Sequence, residues 1–139
     1  MRIVADTNVL VSAAIKPHNH FAVHLRQDTF HLLVSDALLG ELVDVLNRPR
    51  LRRKYNLTPQ YIHVYLHLLR LRSEHIEPAV TITACRDEQD NKLLELAVTG
   101  QSDALVTNDS DLLVLHPFQN IPILSVTDFL SFLAAQPLL

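Results

Sequence analysis

The sequence is poor in cysteine and glycine, and each scarcity excludes a class of protein. Its 139 residues contain one cysteine, Cys85, so no disulfide forms within the chain, and a reducing cytoplasm is the expected compartment. With 2 glycines, the chain has no glycine-rich loop of the kind that cradles nucleotide phosphates. It also has no flexible linker, so we expect a single domain over residues 1–139.

Long apolar runs and an excess of positive charge are also missing. No segment approaches the roughly 18 apolar residues of a membrane-spanning helix. Asp6 and Asn8 interrupt the apolar start of the chain, so we expect no signal peptide. The formal net charge is −3. A protein that binds nucleic acid by bulk attraction alone is basic, so a polyanionic substrate would need local basic patches and bound metal.

Short apolar segments alternate with amphipathic ones along the chain. Strands are predicted at residues 2–5, 30–34, 104–106 and 121–124, with another extended segment at 80–82. Helices are predicted at residues 9–15, 21–26, 37–47, 59–71, 91–98 and 128–135. Pro49 is expected to end the third helix, and Asp90 and Thr127 to cap the last two. This alternation predicts an α/β fold with three α/β/α layers around a central, mainly parallel sheet of four to five strands.

Four acidic residues follow the predicted strands or lie on the helices next to them. Asp6 comes directly after the first strand and Asp109 shortly after the strand at 104–106, while Glu41 and Asp90 belong to helices. Because the carboxyl ends of parallel strands meet at one edge of a sheet, these side chains are expected to converge. Clustered carboxylates repel one another unless a cation neutralises them, and hard oxygen ligands favour Mg²⁺ or Mn²⁺.

Each of these acids also has a purely structural interpretation. Asp6 is equally well explained as the N-cap of the helix that follows it. Asp90 is explained as a helix N-cap, with Asp87 and Glu88 as competitors for the site role. Glu41 lies near the predicted core face of its helix, but a position on the exposed flank is as plausible. The metal site therefore depends on the joint placement of the four acids.

Polar neighbours are expected to support these acids. Thr7 and Asn8 are placed to orient Asp6 by hydrogen bonds, as residues behind a metal ligand commonly do. Asp111 is either within reach of the same cation or caps a short turn at residues 112–114.

Positive charge is concentrated in one short segment after the third helix. This segment is expected either to grip an RNA backbone or an acidic partner, or simply to be solvated. Lys16 and Lys92 are further candidate RNA contacts near the proposed site. The basic segment consists of Arg48, Arg50, Arg52, Arg53 and Lys54. His63 and His67 have a spacing that can bind zinc, but no glutamate follows His63 as a zinc protease requires, so a surface or packing role is favoured.

The sequence resembles the PIN-domain family, in particular the VapC-like bacterial toxins of toxin–antitoxin systems. The resemblance implies a metal-dependent ribonuclease whose acidic set corresponds to Asp6, Glu41, Asp90 and Asp109, with Thr107 and Asp111 nearby. Gln89 and Asn91 stand where relatives often carry further acids, and Asn108 replaces a common glycine. The matching segments are residues 3–10, 35–46, 85–97 and 105–113.

The resemblance gives each acid an expected role in RNA phosphodiester hydrolysis with Mg²⁺ or Mn²⁺. Asp6 and Asp109 are the expected principal ligands, Asp90 completes the coordination or holds a second ion, and Glu41 ligates or orients the attacking water. A cognate antitoxin protein is the implied partner, and a homodimer or higher homo-oligomer is expected. The apolar tail 137–139 either packs against another chain or is frayed. The alternative is a catalytically weak or inactive PIN-fold module that binds RNA or protein.

Overall fold

A five-stranded parallel sheet forms the centre of the protein, which is described here over residues 1–136 by a computed structural model. The strands are β1 (Arg2–Ala5), β2 (His31–Val34), β3 (Ser73–His75), β4 (Ala104–Val106) and β5 (Ile123–Leu124). Their spatial order is β3-β2-β1-β4-β5, and every neighbouring pair is parallel. The predicted three-layer α/β/α fold with a mainly parallel sheet is confirmed. The tail 137–139 lies outside the described residues.

The helices connect the strands and cover both faces of the sheet. They are α1 (Thr7–Ile15), α2 (His20–Arg26), α3 (Asp36–Leu46), α4 (Pro49–Tyr55), α5 (Pro59–Arg72), α6 (Glu88–Thr99), α7 (Ser110–Leu113) and α8 (Val126–Ala134).

The strand order reverses at β1, and this reversal determines where a ligand can bind. From β1 the chain adds β2 and β3 on one side of the sheet, and it then returns to add β4 and β5 on the other side. Ligands of open α/β sheets bind outside the carboxyl ends of the strands at such a switch point. Ile3, Val4 and Ala5 of β1 are fully buried, as are Leu105 and Val106 of β4. The two strands that border the switch point are therefore held rigidly in the core.

Two tyrosines fasten α5 to α1. The Tyr61 hydroxyl donates a 2.6 Å hydrogen bond to the carbonyl oxygen of Ala14, and the Tyr65 hydroxyl donates one of 2.7 Å to that of Leu10. Burial raises the pKa of Tyr65 above its ordinary value and therefore keeps its hydroxyl a donor. Both bonds reach carbonyls in α1, so α5 is joined to the helix that starts at the switch point.

The third strand differs from the expected one. Residues 80–82 do not join the sheet, and the polar segment Ser73–His75 pairs with β2 instead. The backbone N–H of Ile82 donates to the Glu95 carboxylate at 2.9 Å, so this part of the chain is tied to α6. β3 lies at the edge of the sheet, where backbone hydrogen bonds to one neighbouring strand hold it. Its sequence therefore shows no alternation of apolar residues from which a strand could be predicted.

Two of the expected helix caps were wrong. Asp87 caps α6 by accepting from the backbone of Gln89, which places Asp90 inside the first turn. Ser125, two residues before Thr127, caps α8 by accepting from the backbone of Asp128. Each segment contains several neighbouring residues whose side chains can accept the capping hydrogen bond. Their N-cap preferences are too similar to predict which of them caps the helix.

The basic segment forms a helix of its own, which the sequence analysis missed. Pro49 does not merely end α3, because it occupies the first turn of α4, where proline is favoured. No residue of α4 is buried. Its cations are therefore carried on an ordered surface helix.

Candidate functional site

Asp6 lies at the carboxyl end of β1, beside the switch point of the sheet. Its backbone N–H donates a 2.9 Å hydrogen bond to the carbonyl oxygen of Val106, which joins the ends of β1 and β4. Its Oδ1 accepts from the backbone N–H of Asn8 at 3.4 Å, so the carboxylate also caps α1. The two interpretations of Asp6, as site residue and as cap, are therefore compatible. The residue is 7% exposed.

Thr107 connects Asp6 to the other strand end. Its hydroxyl donates a 2.7 Å hydrogen bond to Oδ2 of Asp6 and accepts one of 3.0 Å from the backbone N–H of Asp109. Thr107 is fully buried, so this hydroxyl has no competing water. Asp109 caps α7 by accepting from the backbone of Asp111 at 2.9 Å, and the suggested cap role of Asp111 was therefore wrong.

Asp90 completes a group of three carboxylates. Burial raises the pKa of Asp90 to about 7, and so do a hydrogen bond with the Asp109 carboxyl and the negative charges of Asp109, Asp6 and Asp87. Neighbouring carboxylates cannot all ionise at low cost, so a proton on Asp90 is favoured. Asp6, Asp90 and Asp109 therefore lie close enough for their charges to interact.

Cys85 and Asn91 hold the loop beneath Asp90, and Asn91 is a structural residue that the sequence did not identify. Asn91 is buried, and its Oδ1 accepts a 2.7 Å hydrogen bond from the backbone N–H of Cys85. The Cys85 sulfur lies 3.9 Å from Oδ2 of Asp90 and 3.6 Å from the carbonyl oxygen of Asp111. The thiol is buried, and this burial is the main cause that raises its pKa.

A polar pocket of about 330 Å³ opens beside two of the aspartates. The amide of Asn108 accepts a 3.1 Å hydrogen bond from the backbone N–H of Val126 through Oδ1. Asn19 caps α2 and donates through Nδ2 to the Ser12 hydroxyl at 3.4 Å. Ser12 and Asn19 were missed because hydrogen-bonding residues near helix ends are common and carry no signal of a site. The lining includes Asp6, Asn8, Ser12, Asn19, Asn108 and Asp109.

The structure decides between the two open positions of Glu41 and overturns the role expected of Thr7. Glu41 is exposed in the middle of α3. It matches the flank position rather than the core face. Thr7 is buried, but its hydroxyl has no hydrogen-bond partner among the described residues. Thr107 therefore orients Asp6 in place of Thr7.

The candidate RNA contacts are surface residues. Lys16 is the C-cap of α1 and so lies at the opposite end of that helix from Asp6. Lys92 is exposed in α6, close after Asp90. The cations of α4 form no ion pair within residues 1–136. His63 and His67 are exposed on α5 with their rings stacked, as a surface role predicts.

The donor chemistry of the aspartates suits a hard divalent cation. Within residues 1–136, no group of three or more His, Cys, Asp or Glu side chains is arranged to hold a metal ion. Mg²⁺ usually keeps several waters and takes one or two protein carboxylates, so a group of three is not required. Burial and the negative charges of Asp109, Asp6 and Asp87 raise the pKa of Asp90, and a cation among these acids would relieve the repulsion. The residues present therefore fit such an ion.

None of the helices in residues 1–136 is both long enough and apolar enough to cross a membrane.

A family model described as the PIN domain matches residues 2–111. The uncharacterized protein MJ1680 of Methanocaldococcus jannaschii is 30% identical over 119 residues, which cover 84% of this chain and 76% of that protein.

Two solved structures share the fold. One is VapBC2 from Rickettsia felis bound to a DNA fragment from their promoter, with a TM-score of 0.61, 16% identity, and coverage of 90% of this chain and 98% of that one. The other is PAE2754 from Pyrobaculum aerophilum, with a TM-score of 0.63 and 16% identity. The match covers 98% of this chain and 91% of the PAE2754 chain. At this identity the likeness concerns the fold.

Proposed function

This chain belongs to the PIN domain family, and on that premise we propose that it is a metal-dependent endoribonuclease that hydrolyses RNA phosphodiester bonds. The observation that carries the proposal is the bridge made by Thr107 between Asp6 and Asp109 at the switch point of the sheet. A purely structural role explains poorly why Asp90 is added to this pair, since a third, half-buried acid beside two others costs free energy.

Asp6, Asp90 and Asp109 are the proposed ligands of Mg²⁺ or Mn²⁺. When bound, such an ion activates a water and stabilises the charge on the leaving oxygen. Thr107 fixes Oδ2 of Asp6 by its hydroxyl and orders Asp109 through its backbone N–H, so two ligands share one buried support. Asp90 holds a proton at its carboxyl oxygen and releases it when positive charge arrives.

The substrate is proposed to approach along basic and polar surfaces. The exposed cations of α4, together with Lys16 and Lys92, supply local positive charge to a chain whose net charge is −3. The polar pocket beside Asp6 and Asp109 offers amide groups near the reacting phosphate, where a nucleotide can be held. Glu41 is proposed to act as a ligand or to orient the attacking water.

In the cell, the protein is proposed to be the toxin of a toxin–antitoxin pair in the cytoplasm. Support comes from the family and from the shared fold with VapBC2, a complex solved on promoter DNA. A protein antitoxin is then the cognate partner, and a homodimer or higher homo-oligomer is the proposed assembly.

The decisive experiment is cleavage of a mixed RNA pool by the purified protein. It is run with Mn²⁺, with Mg²⁺ and with chelator, and the Asp6→Asn variant is compared with Asp44→Asn as a matched control. Asp44 is an exposed acid on α3 outside the carboxylate group, so its variant should cut like the wild type. We expect cleavage that needs metal and disappears in Asp6→Asn. A folded wild type that does not cut would favour the RNA- or protein-binding module instead.

Glu41→Gln tests the role of Glu41 separately from that of the three aspartates. If Glu41 acts with the aspartates, the variant binds Mn²⁺ like the wild type but cuts RNA at least tenfold more slowly. Unchanged cleavage would remove Glu41 from the mechanism while leaving the three aspartates in it.

A further inference from the structure

The polar pocket beside Asp6 and Asp109 has a composition that suits a nucleobase better than a phosphate. Its volume of about 330 Å³ is near the lower end of small-molecule sites, which range from about 300 to 1,000 Å³. None of the lysines, arginines or histidines of residues 1–136 lines it, whereas two aspartates do. A phosphate inside the pocket would therefore meet negative charge and no basic side chain. An uncharged planar group meets no such repulsion.

Part of the pocket wall is apolar and firmly held. Phe21 is 2% exposed and packs against Phe30 and Phe129, with ring centroids 5.3 and 6.2 Å apart. Val9 also lines the pocket and is buried in α1. Apolar and aromatic surfaces bind the faces of bases with little regard to which base it is. This wall explains how a base is held but not how one base is chosen.

The polar groups can choose, because the protein fixes which of their atoms remain free. The backbone N–H of Val126 can only donate, so the atom of Asn108 that lies 3.1 Å from it is the oxygen Oδ1. The amide nitrogen Nδ2 is left without a hydrogen-bond partner within residues 1–136. Asn108 therefore presents a donor to the pocket, and an amide flip would break its bond to Val126.

Ser12 is oriented in the same sense. Asn19 accepts at Oδ1 from the backbone N–H of Ala22 at 2.7 Å, so its Nδ2 donates to the Ser12 hydroxyl oxygen at 3.4 Å. The Ser12 hydroxyl is thus an acceptor already, and its own proton has no acceptor within the described residues 1–136. Ser12 belongs to α1, whereas Asn108 follows β4. Two donors therefore reach the pocket from different elements of the fold.

From this geometry we propose that the pocket selects an RNA base by its carbonyl oxygens, and so takes uracil or guanine in preference to cytosine or adenine. Uracil carries O4 where cytosine carries an amino group, and guanine carries O6 where adenine carries one. An amino group opposite the Nδ2 donor of Asn108 would leave both groups unpaired, which costs free energy. Asn8 is exposed at the same pocket, and its amide oxygen can accept from the ring N–H beside the carbonyl.

The proposal rests on the proposed nuclease function for its RNA substrate, but free nucleosides test the pocket without metal or cleavage. Uridine, guanosine, cytidine and adenosine are uncharged near pH 7. Each is titrated into the full chain in the presence of chelator, and the asparagine side-chain amide signals are followed by NMR. We expect uridine or guanosine, or both, to bind at least tenfold more tightly than cytidine and adenosine. Comparison of uridine with guanosine identifies which of the two bases the pocket prefers.

Asn108→Asp keeps the shape of the side chain and its bond from Val126, but it replaces the Nδ2 donor by an acceptor. The preference for the carbonyl-bearing nucleosides should fall at least tenfold. Ser12→Ala removes the second donor and should weaken binding of the preferred nucleoside. Asn120 is exposed outside the pocket, so Asn120→Asp makes the same chemical change and should bind all four nucleosides like the wild type. Melting temperatures show that each variant is folded.

Cleavage is measured separately, by sequencing the ends that the wild type produces from a mixed RNA pool with Mn²⁺. Uracil or guanine should stand next to the cut. Selective binding of uridine or guanosine by a protein that does not cut would overturn the nuclease function and leave the base pocket intact. The pocket proposal is overturned if no nucleoside binds, if all four bind equally, or if cytidine or adenosine binds most tightly. It is also overturned if Asn108→Asp keeps the wild-type preference, or if RNA is cut equally beside all four bases.

Discussion

The Thr107 hydroxyl donates a 2.7 Å hydrogen bond to Oδ2 of Asp6, although the two residues are 101 positions apart in the sequence. Both are buried, so the bond is shielded from water. It is a charge-assisted bond, and these are about twice as strong as neutral ones. Thr107 thereby fixes the orientation of the Asp6 carboxylate, without being a ligand itself.

Replacing Thr107 by valine keeps its shape and removes this bond. The Asp6 carboxylate is then buried with one donor fewer, so we expect the free energy of unfolding to fall by about 1–3 kcal/mol. Mn²⁺ affinity should also fall, because Asp6 is no longer held in one orientation. Thermal unfolding and a Mn²⁺ titration measure the two effects. Thr107→Ser retains the hydroxyl, and a Mn²⁺ affinity as low as that of the valine variant would contradict this role.

Asp90 should make the protein less stable as the pH rises. Its folded pKa of about 7 exceeds the ordinary value of 3.8. Between these values the native protein holds a proton that the unfolded chain has released, so the free energy of unfolding falls with increasing pH. Asp90→Asn removes this titration. In metal-free buffer we expect the melting temperatures of variant and wild type to be similar near pH 3, below both pKa values, and that of the variant to be higher near pH 8.

Two additions to that experiment identify the cause. Glu88→Gln changes an exposed acid in the same helical turn and should shift the melting temperature similarly at both pH values. Mg²⁺ or Mn²⁺ should stabilise the wild type near pH 8 more than it stabilises Asp90→Asn. If the melting temperatures of Asp90→Asn and wild type changed in parallel with pH, the pKa of Asp90 would not be raised in the folded protein.

The sequence was sufficient to place Asp6 and Asp109 after two strands whose ends meet at one edge of the sheet, because topology determines that convergence. Asp6 and Asp109 follow strands that are strongly apolar, and such strands are recognisable without a structure. Glu41 was harder, because helical spacing alone did not decide between the core face and the flank. The edge strand around Glu74 was missed for a related reason: its pairing depends on backbone groups, which every sequence provides equally.

That edge strand is tied to β1 by an ion pair with a measurable pH dependence. The Arg2 guanidinium donates to both carboxylate oxygens of Glu74, at 3.1 and 3.0 Å. Arg2, and then His31, lower the pKa of Glu74 below its ordinary value of 4.5. The stability it adds is therefore present above the ordinary pKa and is lost as the pH falls through the lower folded pKa.

Glu74→Gln should consequently lower the melting temperature near pH 7 and have little effect near pH 3. Because the pair is exposed, the effect near pH 7 should shrink at high salt. Glu77→Gln is the matched control, as Glu77 is exposed and forms no ion pair within residues 1–136. If Glu74→Gln lowered the melting temperature as much near pH 3 as near pH 7, the loss would come from packing and not from the ion pair.

The two glycines should respond in opposite directions to the same substitution. Gly40 lies inside α3, and a Cβ added there meets no atom within 4 Å. Gly40→Ala should therefore raise the free energy of unfolding by about 0.5–1 kcal/mol, because alanine loses less conformational entropy in a helix. At Gly100 an added Cβ would lie 2.7 Å from Leu33 Cδ1 and 2.8 Å from Ile76 Cδ1.

Gly100→Ala should lower the free energy of unfolding by about 1–3 kcal/mol, as overpacking of a core does. Leu33 is fully buried, so its methyl group has no free space into which to move. The Gly100 backbone N–H also donates to the carbonyl oxygen of Leu96 at the end of α6, which limits how far the main chain can shift. Urea unfolding of the two variants beside the wild type measures both effects. Equal stability of the two alanine variants would mean that β2 and β3 separate at Gly100 more easily than their packing indicates.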